Sequence, residues 1–224
     1  MEGRKIKIPM PSALSSRSDR NPIRIAVLAS GRGSNFQAII DSIKAGACSA
    51  DIVVLIANKP DAKAIGRARE NNIPVEIVER KSFPSREALD ERIKELLDKY
   101  GVELAVLAGY MLLLKGKKLL DSYRNRIINI HPALLPSFPG VDAQKQAFDY
   151  GARISGITIH FVDENLDAGP IIYQEAVDIS GCRTAEEAAH KILEAEHRAY
   201  PKVVDSFAKG KYVLEGRRVK YVRG

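Results

Sequence analysis

The segment Ile128-Asn129-Ile130-His131-Pro132 closes an apolar run with two polar side chains two positions apart. In a strand that spacing turns Asn129 and His131 to the same side of the sheet. An imidazole beside a neutral amide suits transfer of an acyl group to an amine. As the amine attacks, the carbonyl oxygen takes up negative charge, and both side chains can donate hydrogen bonds to it. The imidazole can also carry a proton to the leaving nitrogen. Pro132 restricts His131 to an extended conformation, and Pro136 and Pro139 stiffen the loop that follows.

A carboxylate close to that histidine would stabilise its imidazolium form. Asp167 is the candidate, in the turn Asp163-Glu164-Asn165-Leu166-Asp167-Ala168-Gly169-Pro170. Asp163 and Glu164 share that turn, and residue chemistry alone leaves them as competitors. No serine or cysteine stands in a nucleophile-elbow context, so direct transfer between two bound substrates is expected rather than a covalent enzyme intermediate. His131, His160, His190 and His197 show no metal-ligand spacing, and Cys48 and Cys182 form no Cys-x-x-Cys pair. No metal site and no disulfide framework are expected, and a reducing cytoplasm fits.

A second chemical signal is Ser30-Gly31-Arg32-Gly33-Ser34-Asn35, between an apolar run and an amphipathic one. A Gly-x-Gly turn from strand to helix lets backbone N–H groups approach a phosphate at the positive end of the helix dipole. The dinucleotide fingerprint needs a third small residue where Phe36 stands, and Asn58-Lys59-Pro60 offers no acid after the second strand. A Walker lysine is also missing. The pattern that remains is a monophosphate cradle from the N–H groups of Gly33, Ser34 and Asn35, helped by the side chains of Ser34 and Asn35.

These residues need elements to hold them. Residues 25–29, 52–56 and 104–108 are apolar throughout and read as buried strands, with shorter strands at 75–78 and 126–130. Helical patterns lie between them at 36–44, 62–71, from Ser85 to a stop at Gly101, and at 115–123. Apolar strands alternating with helices predict an α/β fold, a doubly wound, mostly parallel, Rossmann-like sheet covered on both faces. Ligands of such sheets bind beyond the carboxyl ends of the strands, where Asn129 and His131 fall. The rhythm changes after residue 153. Residues 154–162 and 170–179, joined by a short turn, predict added antiparallel strands near the C-terminus. Thr184 and Glu187 form a capping-box pattern that opens a long helix to about Phe207.

The chain has 224 residues and a formal charge of +7. The basic residues are dispersed and not interleaved with aromatics, so neither nucleic acid nor a membrane is an expected partner. No apolar stretch is long enough to cross a bilayer, and the start of the chain lacks a secretory signal. Residues 1–22 are basic and rich in proline and serine, which predicts a flexible extension before a single domain at 23–224.

Five segments carry a resemblance: Ala29-Ser30-Gly31-Arg32-Gly33-Ser34-Asn35, Leu107-Ala108-Gly109-Tyr110-Met111, Asn129-Ile130-His131-Pro132-Ala133-Leu134-Leu135-Pro136, Gly156-Ile157-Thr158-Ile159-His160-Phe161 and the turn at 163–170. Over residues 23–215 the chain resembles the folate-dependent phosphoribosylglycinamide formyltransferases. The Asn-x-His-Pro-x-Leu-Leu-Pro motif is shared across folate formyltransferases, and the Gly-Ser-Asn loop is particular to the glycinamide ribonucleotide branch. The resemblance implies formyl transfer from 10-formyltetrahydrofolate, as co-substrate, to glycinamide ribonucleotide in purine synthesis. It implies Asn129, His131 and Asp167 as the catalytic trio, and Gly33, Ser34, Asn35 and Glu196 as ribonucleotide contacts. Arg86, Met111, Leu112, Leu113, Leu114, Asn129, Asp163, Glu164, Asn165 and Leu166 match positions lining the folate pocket, with Met111 to Leu114 wrapping the pteridine ring. Many relatives have arginine where Leu112 stands, so the polar rim of the pocket departs from the family there; many have histidine where Asp142 stands, and that position's role does not carry over. Relatives include monomers and homodimers.

Two sister activities share the motif. A formyltransferase acting on methionyl-tRNA would be expected to carry a further C-terminal domain, and a formyltetrahydrofolate hydrolase a regulatory domain ahead of the core. The sequence has room for neither. A folate- or phosphate-binding module without catalysis is the reading from another class, and the intact trio argues against it.

Overall fold

The structure, a computed structural model, describes residues 22–224. The extension expected at 1–22 thus lies, Pro22 apart, outside the described residues. The chain alternates β1 (Ile23–Ala29), α1 (Ser34–Lys44), β2 (Ala50–Ala57), α2 (Lys63–Glu70), β3 (Val75–Ile77), α3 (Arg86–Lys99), β4 (Leu104–Leu107), α4 (Lys117–Ser122), β5 (Ile127–His131) and α5 (Ala143–Asp149). It then runs through β6 (Ile154–Phe161), β7 (Ile171–Asp178) and α6 (Ala185–Lys209) to a hairpin of β8 (Gly210–Glu215) and β9 (Arg218–Arg223).

Seven strands form one sheet in the order β3-β2-β1-β4-β5-β6-β7, with β8 and β9 in a separate two-stranded sheet. The first five pair in parallel, and β6 and β7 are added antiparallel, as the change of rhythm predicts. The parallel strands are apolar throughout because both faces are covered. Along β1, Ile25, Val27 and Ala29 enter a core cluster with α1, α2 and α6, while Ala26 and Leu28 enter a second with α3. Strand β1 is flanked by β2 on one side and β4 on the other, so the chain winds away in both directions from there. A crevice opens at such a switch point beyond the carboxyl ends of the strands. The glycine loop leaves β1 at that end, residues 108–114 leave β4 there, and Asn129 and His131 terminate β5.

Helix α6 begins as its sequence predicts. The Thr184 hydroxyl accepts from the Glu187 N–H at 3.2 Å, and the Glu187 carboxylate accepts from the Arg183 N–H at 2.7 Å. Two elements depart from expectation. Helix α5 lies in a stretch to which the sequence assigns no element; it buries just Ala143 and Ala147, too little apolar signal to show a period. The β8–β9 hairpin lies past the last expected element, its alternating pattern obscured by basic residues on the exposed side. Among the described residues, no helix is long and apolar enough to cross a membrane, and no group of three or more metal-ligating side chains occurs.

Candidate active site

His131 is almost fully buried at the end of β5, and each ring nitrogen has its own partner. Nε2 lies 2.8 Å from the Phe138 carbonyl oxygen. A carbonyl can only accept, so Nε2 carries a hydrogen in every protonation state of the ring. Nδ1 faces Asp167 Oδ2 at 3.4 Å. The proton that can come and go is therefore the one on Nδ1, the side that meets the carboxylate. Of the three acids in the turn, Asp167 is the one brought to the histidine. Asp163 instead accepts from the Asn165 N–H at 2.9 Å, closing a local turn.

Asp167 is held by its own backbone and by a neighbour. Its φ is +49°, in the left-handed region, and Oδ2 also accepts from the Gly140 N–H at 2.8 Å. Its other oxygen, Oδ1, lies 3.8 Å from His160 Nε2.

His160 enters through strand register. It stands directly opposite Asn129 on β6, and Thr158 stands opposite His131. His160 Nδ1 donates to the Phe161 carbonyl at 2.8 Å, which leaves Nε2 as a lone pair. That lone pair accepts from Asn129 Nδ2 at 3.3 Å. The contact fixes the direction of the Asn129 amide and leaves its second N–H for another acceptor. Burial pushes the His160 pKa down, partly offset by its backbone hydrogen bond and the charge of Asp167, and so favours the neutral ring this arrangement requires. Thr158 secures the loop after β5. Its hydroxyl donates to the Ala133 carbonyl at 2.7 Å and accepts from the Leu135 N–H at 3.0 Å.

The glycine loop lies across the same cleft. Gly33 caps α1 with φ +68°, and a side chain there would come within 2.8 Å of the Ala64 Cβ. Only glycine meets both demands. Arg67 Nε donates to the Arg32 carbonyl at 3.0 Å, and the Ala64 N–H to the Gly31 carbonyl at 3.1 Å, so α2 clamps the loop from behind. The Ser30 hydroxyl accepts from the Met111 N–H at 2.8 Å, tying this loop to the one after β4. The side chain of Asn35, expected to assist the phosphate cradle, spends one of its N–H groups within the cleft: Nδ2 donates to Glu196 Oε2 at 2.9 Å. Glu196 is 5% exposed, and burial pushes its pKa up to about 7 despite the Asn35 hydrogen bond and the charge of Arg32.

One cleft of about 870 Å³ is lined by residues 30–35, 107–114, 129–132, 140–142 and 165–167 together with His160 and Glu196. It gathers the trio, the glycine loop, Met111, Leu112, Leu113, Leu114, Asn165 and Leu166. Asp163 and Glu164 are not brought there; they line a separate cavity between their turn and α4. Arg86, at the first turn of α3, is also outside the lining and acts electrostatically on Asp90 and Tyr110. Asp142 lines the cleft, caps α5 and takes φ +54°. Composition and spacing did not reveal His160 or Arg67. For His160 the signal would have been the β5–β6 register, which sequence does not set.

A crevice that holds an acid-backed histidine and an oriented amide opposite a phosphate-ready helix end defines an acyl-transfer enzyme on a Rossmann-like sheet. The formyl transferase family profile matches residues 23–204, and the chain belongs to that family. Phosphoribosylglycinamide formyltransferase of Bacillus subtilis (strain 168) is 46% identical over 181 residues, covering 81% of this chain and 92% of that protein. The trifunctional purine biosynthetic protein adenosine-3 of Gallus gallus is 38% identical over 199 residues, which cover 89% of this chain and 20% of that longer protein. The crystal structure of glycinamide ribonucleotide transformylase 1 from Symbiobacterium toebii superposes with a TM-score of 0.87 at 42% identity, covering 95% of this chain and 100% of that one.

Proposed function

We propose that the protein transfers the formyl group of 10-formyltetrahydrofolate to the amine of 5-phosphoribosylglycinamide, releasing tetrahydrofolate, in de novo purine biosynthesis. The reading is supported by the family and by the names of these relatives. The observation that carries it is the meeting of Asn129, His131 and Asp167 in the cleft that also receives the helix end at Gly33. In this reading the N–H groups of Gly33, Ser34 and Asn35 take the phosphate, and Glu196 accepts from the sugar. Met111, Leu112, Leu113, Val141 and Leu166 offer apolar walls for a flat folate ring, and Asn165 a polar edge.

The chain's groups then divide the chemistry. The free N–H of Asn129 and the Nδ1–H of His131 donate to the formyl oxygen as the amine adds to its carbon. His131 passes that Nδ1 proton to the departing folate nitrogen and recovers one from the attacking amine, so the ring ends as it began. Asp167 stabilises the imidazolium while the charge is present. The proposed setting is cytoplasmic, with small-molecule substrates and a monomer or homodimer.

The test is direct. Purified protein is mixed with 10-formyltetrahydrofolate and the ribonucleotide, and folate absorbance is followed; turnover requiring the ribonucleotide is expected. Turnover with water or charged tRNA instead, and none with the ribonucleotide, would overturn the assignment.

A further inference from the structure

The turn that carries Asp167 is braced from outside the cleft. Arg217 stands in the β8–β9 turn, and its Nη2 donates to the Ala168 carbonyl at 2.7 Å. Ala168 directly follows Asp167, whose backbone is left-handed, a conformation uncommon outside glycine though more accessible to aspartate than to most residues. Next in the chain, Gly169 lies so close to β6 that an added Cβ would come within 1.7 Å of the Phe161 carbonyl oxygen. The Phe161 N–H donates to the Pro170 carbonyl at 2.9 Å. The part of the turn that follows Asp167 is thus held by the sheet at Gly169 and Pro170 and by Arg217 at Ala168.

The preceding part of the turn has room behind it. Residues 163–165 face a cavity of about 560 Å³, with α4 on one side and Leu214 of β8 on another. The hairpin itself is anchored. Tyr212 stacks near Phe207 and Phe161 with ring centroids 4.7 and 6.3 Å away, and its hydroxyl lies 2.6 Å from Ser206 Oγ. Leu214 and Val219 pack on the main core cluster. The guanidinium is therefore presented from a fixed element to a turn that could otherwise relax into open space.

We propose that Arg217 is a positioning residue: by holding the Ala168 carbonyl it keeps the Asp167 carboxylate against Nδ1 of His131. This rests on the role given to Asp167 above, and the experiment separates the two. Wild type, Arg217→Ala, Arg217→Lys, Asp167→Asn and the Arg217→Ala/Asp167→Asn double variant are compared for kcat, both KM values and thermal midpoint. Loss of one hydrogen bond that acts through the acid should lower kcat of Arg217→Ala by about three- to tenfold, with the ribonucleotide KM and the thermal midpoint near wild type. Arg217→Lys, which keeps a donor, should recover part of the loss. In the Asp167→Asn background, Arg217→Ala should cost almost nothing more, because the group it positions is already gone. Wild-type kcat in Arg217→Ala, or a penalty that adds in full to that of Asp167→Asn, would overturn the brace while leaving the acid's role standing. Normal kcat in Asp167→Asn would overturn both. Should Arg217→Ala unfold, Arg217→Lys alone decides, since wild-type KM with reduced kcat supports positioning and unchanged kcat defeats it.

Discussion

Two histidines face Asp167, and backbone carbonyls decide what each can do. The Phe138 carbonyl holds a hydrogen on Nε2 of His131 and leaves Nδ1 on the side of the acid. The Phe161 carbonyl does the reverse for His160, so its Nε2 accepts from Asn129. A protonated His160 would drive off that amide and compete with His131 for Asp167; burial opposes this by lowering its pKa. His160→Phe, which keeps a ring but removes the acceptor, should lower kcat by about tenfold or more, the scale of one misaligned oxyanion donor. His160→Gln can return an acceptor and should lose less. Steady-state kinetics decide, and a phenylalanine variant with wild-type kcat would end the argument. Glu196 is a second residue whose environment opposes its charge. Its folded pKa of about 7 stands above the ordinary 4.5. The folded state thus holds its proton more tightly than the unfolded chain, and this contribution to stability is lost as pH rises from 4.5 through 7. Glu196→Gln should remove that slope. It should match wild type near pH 4.5 and exceed it above pH 7, by at most on the order of 2–3 kcal/mol. The Asn35 Oδ1, which has no hydrogen-bond partner, can accept from the new amide. Urea unfolding at pH 5 and pH 8 measures this; equal differences at both would refute it. The same variant should raise the ribonucleotide KM.

Among elements, α2 reaches the site without lining it. Its Arg67 spans to the Arg32 carbonyl and, at 2.9 Å, to Gln37 Oε1 on α1, joining the glycine loop to the helix it caps. Arg67→Ala should loosen the loop and raise the ribonucleotide KM by about three- to tenfold, the worth of one or two such bonds, with the folate KM unchanged. A loss confined to folate affinity would contradict the cradle. The elements also show how far sequence could be read. Strands β1, β2 and β4 were legible because burial on both faces leaves uninterrupted apolar runs, and α3 because its buried Leu89, Ile93, Leu96 and Leu97 keep a helical period. The asparagine and histidine of β5 were legible because a period of two is a local property. His160 was not, since its place opposite Asn129 depends on a register set by long-range pairing. The reach of Arg67 from α2, and that of Arg217 from a hairpin whose strands were not anticipated, are long-range contacts of the same kind. Asp163 and Glu164 could not be told from Asp167 for a related reason: neighbours in sequence, they line the cavity beside α4, and only the folded turn separates them from the acid that meets His131.

At the scale of the whole molecule, site and core have the same supports. The cleft joins Asn35 after β1 to Glu196 on α6 and Asn129 on β5 to His160 on β6, and from outside it the acid's turn is tied to a hairpin at the end of the described chain. The two core clusters lie on opposite faces of one sheet, so neither can be exposed without stripping strands that the other needs. We therefore propose one cooperative unit over residues 22–224, and the expected behaviour follows from it. A variant starting at residue 22 keeps every core and cleft residue named above. It should unfold in a single transition, with far-ultraviolet circular dichroism, tyrosine fluorescence and loss of activity changing together. Its midpoint should lie within about 2 °C of the full chain's, a shift worth less than roughly 1 kcal/mol at this size, and its kcat should be that of the full chain. Activity lost well before the circular dichroism signal would mean that the cleft opens as a separate unit. A large fall in midpoint would mean that the first 21 residues contribute to the folded core.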